Sequence, residues 1–446
     1  MGFLGIVAFE KTFLKEVKEH NMIKSFLYGS KDKMKSAYLW NTSAAMLNAF
    51  QTVFILMLVS RIDPVIDAGV FTIAFAIGNL MLTIGKYGVR QFQVSDIEER
   101  YSFADYMLLR IFTSILMIIV SVVYVSVNYI SGLYNVQKCT VVILVCLAKV
   151  IDAVEDVFHG MFQQHLRLDV AGKILTIRIM SYIVVYFVFY IITEDLIITS
   201  VIALIVSFVQ LLLLNYIALK EFEIEKKKWH YNQMKRLCRE CFPLFIASYL
   251  VIYIGNAPKY AIDKVMSSEA QACFTYIFMP VFVISLLSQF VYQPVISKMA
   301  LLWHEEKFTQ FKNLIWKQVG LIALFSMAAV LGGYFLGIPV LSLLYGVNLK
   351  EYKTALVILL IGGGALAFVN FFQMIITIVR KQNLLIVGYM FAFLSFIFGG
   401  RAVVEHFGIV GISSFYTIVV SGIGIVFTVL TIRIIDKKGK ENDNFR

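Results

Sequence analysis

KEFEIEKKKWHYNQMKRLCRE, residues Lys220–Glu240, decides how this chain is read. It carries seven Lys/Arg against four Glu and is the longest polar interruption between Tyr38 and Ile435. About six apolar spans, each near the roughly 20 residues that cross a bilayer, can be drawn on either side of it. A basic run between long apolar segments is held on the cytoplasmic side by the positive-inside rule. The remaining connections are oriented from this one.

The composition agrees with that reading. Of 446 residues, 59% are hydrophobic and 15% charged, with a mean hydropathy of +0.79. A soluble core has no room for so much apolar surface. Spans are expected at 38–62, 68–88, 104–128, 139–162, 170–192, 196–219, 241–262, 273–293, 314–337, 355–379, 384–404 and 409–435. Backbone groups in hydrocarbon must be satisfied within the segment, so these are helices, and they are too long for barrel strands. The expected class is an all-α polytopic membrane protein with about 12 transmembrane helices in two six-helix lobes related as a parallel repeat.

With 220–240 inside, the inner segments hold 29 of the 40 Lys/Arg. The outer connections hold seven: Arg61, Lys138, Lys259, Lys264, Lys350, Lys353 and Arg401. The net charge of +11 is therefore topological and does not call for nucleic acid. The layout becomes a cytoplasmic amphipathic segment (1–37), an N-lobe (38–219), a basic linker (220–240), a C-lobe (241–435) and a cytoplasmic tail (436–446). Phe3, Ile6, Val7, Phe13, Leu14 and Val17 space the first segment as a helix lying on the membrane surface. A shift of 203 residues sets Phe71, Thr72 and Phe75 on Phe274, Thr275 and Phe278, the sign of an internal repeat. Pro258, Pro280 and Gly362–Gly363–Gly364 would allow bending or close packing.

Five scattered cysteines give no disulfide framework. Cys238 and Cys241 have only His230 nearby, too few ligands for a zinc site. The sequence holds no HExxH, Walker loop or GxSxG, so catalytic residues, metal and resident cofactor are all expected to be absent. Work would have to come from an ion gradient, H+ or Na+, or from the substrate's own gradient.

Charges inside spans are costly and mark cavities. Span four carries Lys149, Asp152, Glu155, Asp156 and His159 at helical spacing, on one broad face. Neighbouring carboxylates oppose one another's ionisation, which makes Asp152, Glu155 and Asp156 the candidate ion-coupling residues, Asp152 foremost. Leaving all three ionised beside Lys149 leaves excess negative charge unless Arg110 or Arg178 neutralises it. Lys86 and Arg90, read as sharing a face of span two, join Arg110, Lys149 and Arg178 in a candidate cationic pocket for phosphate oxygens. Lys317 is the main deep charge of the second half, which otherwise offers aromatic and apolar surface.

GKYGVRQFQVSD (Gly85–Asp96), APKYAIDKVMSSEAQACFTYIFMP (Ala257–Pro280) and the stretch from Gly362 to Asn383, set in this twelve-span plan, resemble Wzx-type polysaccharide flippases of the multidrug/oligosaccharidyl-lipid/polysaccharide exporter superfamily. The resemblance covers nearly the whole chain. It implies two six-helix lobes around a cavity, in the cell membrane with both termini cytoplasmic. It also implies a polyprenyl-pyrophosphate-linked oligosaccharide moved from the inner to the outer leaflet. Membrane lipids and other polysaccharide-assembly proteins would be the partners. Alternatives are a multidrug/cation antiporter of the same fold, which would want an acidic pocket, a membrane polysaccharide polymerase or ligase, which would want a large outer loop, and an assembly scaffold.

Overall fold

Apolar runs of this length satisfy their backbone without water only as helices, and the computed structural model shows helices. It describes residues 23–96, 100–222 and 231–443. Most of the expected amphipathic segment, part of the basic linker and the last three residues lie outside the described set. After a short helical stretch at 23–28 come α1 (Lys33–Ile62), α2 (Asp67–Lys86), α3 (Val89–Ser95), α4 (Phe103–Ile130), α5 (Val136–Gln164), α6 (Leu168–Thr193) and α7 (Leu196–Leu219). Then follow α8 (Tyr231–Asp263), α9 (Ser268–Tyr292), α10 (Ile296–His304), α11 (Phe308–Gly332), α12 (Ile338–Tyr345), α13 (Lys353–Ile378) and α14 (Asn383–Asp443). Among the described residues there is no strand.

Among the described residues, ten stretches are long and apolar enough to cross a membrane. α5 is 29 residues long, and its charges keep it out of that group. α14 is 61 residues long and breaks at Gly408, whose φ of 57° is outside the helical region, so it supplies two crossings. With those additions the count reaches the twelve expected. The chain is a multi-pass α-helical membrane protein.

Contacts divide it into two compact units, one of residues 1–55 with 77–245 and the other of 56–76 with 246–446. The division falls inside α1, α2 and α8. In the first unit α5 touches α3, α4, α6 and α7, which puts the most charged helix at the centre. Its apolar packing near residues 23–28 is built from Leu27, Phe162, Val170, Ile174 and Ala218. In the second unit α13 packs against α9, α11 and α14. There the glycine triplet serves close approach, because α13 runs on unbroken. A Cβ at Gly362 would meet Thr417, one at Gly363 the Val281 backbone at 3.1 Å, and one at Gly364 the Ser326 side chain.

The repeat positions have like local structure. Phe71 and Phe75 sit 4.5 Å apart, Phe274 and Phe278 5.2 Å apart, and all four are buried. Thr72 and Thr275 each donate to a backbone carbonyl one turn back. Among the charges assigned to loops on counting, Lys259 and Lys173 are deeply buried within helices. Lys259 lies inside α8 and is 5% exposed. Lys173, counted among the inner surface charges, is 2% exposed and donates to the carbonyls of Phe26 and Leu27 and to Ser30 Oγ, which closes the end of the 23–28 stretch.

Candidate functional site

The site is built on α5. Asn135 caps its start by accepting from the Lys138 N–H. About four to seven turns further on, Lys149, Asp152, Glu155, Asp156 and His159 face the helices around it. An isolated carboxylate is not tolerated there, and each of the three finds a cation.

One half of the cluster joins α5 to α6. Arg178 Nη1 is 2.5 Å from Asp152 Oδ1, and its Nε is 2.6 Å from Glu155 Oε2. Lys149 Nζ is 3.0 Å from Asp152 Oδ2. His159 Nε2 stands 3.9 Å from Glu155 Oε2. Two cations thus face two carboxylates. The charge excess that favoured a protonated Asp152 requires an unanswered carboxylate, and Arg178 answers both.

The other half gathers on Asp156. Arg110 of α4 is fully buried, with Nη2 3.0 Å from Asp156 Oδ2 and Nη1 donating to the Gly85 carbonyl at 2.6 Å. Thr113 Oγ1 donates to the same carbonyl at 2.8 Å. Lys86 Nζ and Arg90 Nη1 each lie 3.5 Å from Asp156 Oδ1. Three cations on one carboxylate leave this half with a charge of +2. Side-chain exposure separates their roles: 0% for Arg110, 43% for Lys86 and 27% for Arg90.

Lys86 and Arg90 do not share a helix face, contrary to the expectation from spacing. α2 ends at Lys86, and the chain turns through Tyr87 (φ 48°) and Gly88 (φ 70°) before α3 begins. A Cβ at Gly88 would stand 2.6 Å from the Leu244 Cβ, so the turn needs glycine for space as well as for φ. The break lets α3 lie along α5 at Gly160, where an added Cβ would strike the Gln93 amide and approach the Arg90 stem. Arg90 Nη2 then donates to Gln163 Oε1 and Gln93 Nε2 to Gln164 Oε1, both at 3.1 Å. Arg90 reaches Asp156 from a different helix than Lys86 does.

Next to the first half lies a recess lined by Asn48 and Gln51 of α1, Lys149 and Asp152, Tyr182 of α6 and Ser207 of α7, with Arg178 at its wall. Asn48, Gln51, Tyr182 and Ser207 were not singled out from sequence. The i,i+3 spacing of Asn48 and Gln51 inside an apolar span was the available signal. Lys317 is exposed on α11 in the second unit, outside this cluster. All five cysteines are free thiols, and among the described residues no group of His, Cys, Asp and Glu is arranged to hold a metal ion.

Residues 35–300 match a family model described as polysaccharide biosynthesis protein. The capsular polysaccharide biosynthesis protein CapF of Staphylococcus aureus is 24% identical over 333 residues, covering 73% of this chain and 80% of CapF. An inward-facing multidrug resistance MATE family transporter of the MOP superfamily matches with a TM-score of 0.64 at 14% identity, over 94% of this chain and 99% of its own. A MOP superfamily transporter from Pyrococcus furiosus, described as having a binding pocket of reversed polarity, matches with a TM-score of 0.55 at 13% identity, over 93% and 98%. At these identities the structural likeness is one of fold. The fold is the one these two transporters have.

Proposed function

Because this chain belongs to the polysaccharide biosynthesis protein family, we propose that it is a flippase that carries a polyprenyl-diphosphate-linked oligosaccharide from the inner to the outer leaflet by alternating access. The cell membrane would be its location, with both termini cytoplasmic. Membrane lipids surround it, and other polysaccharide-assembly proteins are its natural neighbours. The observation that carries this reading is the +2 charge around Asp156, with Lys86 and Arg90 partly exposed and each 3.5 Å from its carboxylate.

A diphosphate is the ligand such a pair suits. Arg90 offers a planar fork and Lys86 a mobile point charge, and both can leave Asp156 for an oxyanion of higher charge. Arg110 is then the brace that stays with Asp156, because it is wholly buried and tied to the Gly85 carbonyl. Arg178 and Lys149 hold the Asp152 and Glu155 half in register beside the recess. Cations withdrawn from Asp156 by an arriving diphosphate are replaced most simply by H+ or Na+, which ties substrate loading to an ion gradient. A cation antiporter would need the opposite surplus of charge.

The test is export of a lipid-linked glycan by the purified chain in liposomes, with and without an imposed proton or sodium gradient. Lys86→Gln with Arg90→Gln should slow export at least a hundredfold while the protein still inserts. Arg90→Lys, which keeps charge and loses the fork, should fall between. Normal export by the double variant would sink the diphosphate reading, and equal rates with and without gradients would sink the coupling.

A further inference from the structure

Lys259 is a buried lysine of the second unit that the cluster does not use. It lies one turn from the Asp263 end of α8, in the second unit, and is 5% exposed. Among the described residues it forms no ion pair, and its Nζ stands 5.7 Å from the centroid of the Phe278 ring on α9. A ring face repays only part of what burying an ammonium costs. Ionisable groups kept within a membrane helix at such a cost lie on ion or substrate paths.

The space beside it is shaped by Gly255, the residue one turn earlier on the same face. A Cβ built there would find only the Phe282 ring, at 4.0 Å. No Lys259 side-chain atom comes within 4 Å of that built Cβ, so the turn before the lysine is left open on this face. Phe278 and Phe282 meet edge to face at 5.3 Å and form the opposite wall. The result is a slot with an aromatic wall and, at its end, one ammonium that pairs with no carboxylate among the described residues.

We propose that Gly255, Lys259, Phe278 and Phe282 form a second oxyanion site, which takes a phosphate or carboxylate group of the transported molecule near the Asp263 end of α8. This rests on the flippase reading and adds to it a second station. Two cations beside Asp156, Lys86 and Arg90, grip a diphosphate, whereas a single lysine holds one oxyanion loosely. Loose holding suits a group about to leave. The oxyanion is either the diphosphate linker or an acidic sugar of the glycan.

The test uses the full-length chain carrying Lys86→Gln and Arg90→Gln, so that the Asp156 site is disabled. Inorganic pyrophosphate and glucuronate are titrated separately by calorimetry. At least one should bind, and adding Lys259→Gln or Gly255→Leu should weaken that binding at least tenfold, while Lys259→Arg preserves it. Gly255→Leu leaves the charge in place, so its effect distinguishes a slot from bulk electrostatics and keeps the test open if Lys259→Gln does not fold. Response to pyrophosphate alone identifies the linker, and response to glucuronate identifies a sugar acid. No binding of either anion, or binding that survives Lys259→Gln and Gly255→Leu, overturns the second site. Pyrophosphate binding unchanged by Lys86→Gln and Arg90→Gln alone would count against the first site instead.

Discussion

At the scale of single residues, the five cations of the cluster around α5 are alike in charge and different in use. Arg110 spends its fork on Asp156 and on the Gly85 carbonyl and is 0% exposed. Its removal would leave a buried carboxylate with two longer contacts and a buried carbonyl with one donor fewer. Breaking a buried pair from one side costs about 3–5 kcal/mol. Arg110→Ala should therefore lower the melting temperature in detergent markedly, whereas Arg110→Ala with Asp156→Ala should cost less than the two single changes together. Additive losses would mean that the two residues do not act as a pair. Lys86, with its side chain 43% exposed, should show little stability loss when replaced.

At the scale of elements, glycine sets where helices meet. α13 presents Gly362, Gly363 and Gly364 to residues of α14, α9 and α11 in turn, so one turn of helix serves three neighbours. The Gly363 contact is to backbone, which cannot rotate away as a side chain would. Gly363→Val should destabilise the second unit by about 1–3 kcal/mol through overpacking. Gly320 has nothing within 4 Å of its would-be Cβ, so Gly320→Ala serves as the helical control and should be neutral or slightly stabilising. Equal melting behaviour for Gly363→Val and Gly320→Ala would show that the triplet is not a packing device. The α2–α3 break works on the same principle: Gly88 makes the turn that lets two helices bring one cation each to Asp156.

At the scale of the whole molecule, the distribution of Lys and Arg sets the orientation expected in the membrane. With background cysteines removed, cysteines at Lys31, Gln233 and Asn442 should all resist an impermeant thiol reagent in intact cells and react after permeabilisation. Labelling of any one from outside would overturn the cytoplasmic placement of both termini and of the middle linker.

How much of this was legible in the sequence follows from the range of the forces involved. Whether a segment enters a bilayer depends on the apolarity of some twenty consecutive residues, a local property. The sequence alone therefore determined the all-α class, the approximate places of the long apolar helices and the richness of α5 in charge. Which cation meets which carboxylate depends on neighbours brought in from other helices, and only the tertiary structure decided that. Spacing put Lys86 and Arg90 on one face, while the Tyr87–Gly88 turn separated them and packing returned both to Asp156. Charge counting made Asp152 a candidate to hold a proton, while Arg178, from the next helix along the chain, reached it and Glu155 together. Lys173 and Lys259 counted as loop charges, and folding buried one as a helix cap and the other against an aromatic wall. A charge count treats every lysine alike, because burial and pairing are properties of the space around a side chain and have no trace in its position along the chain.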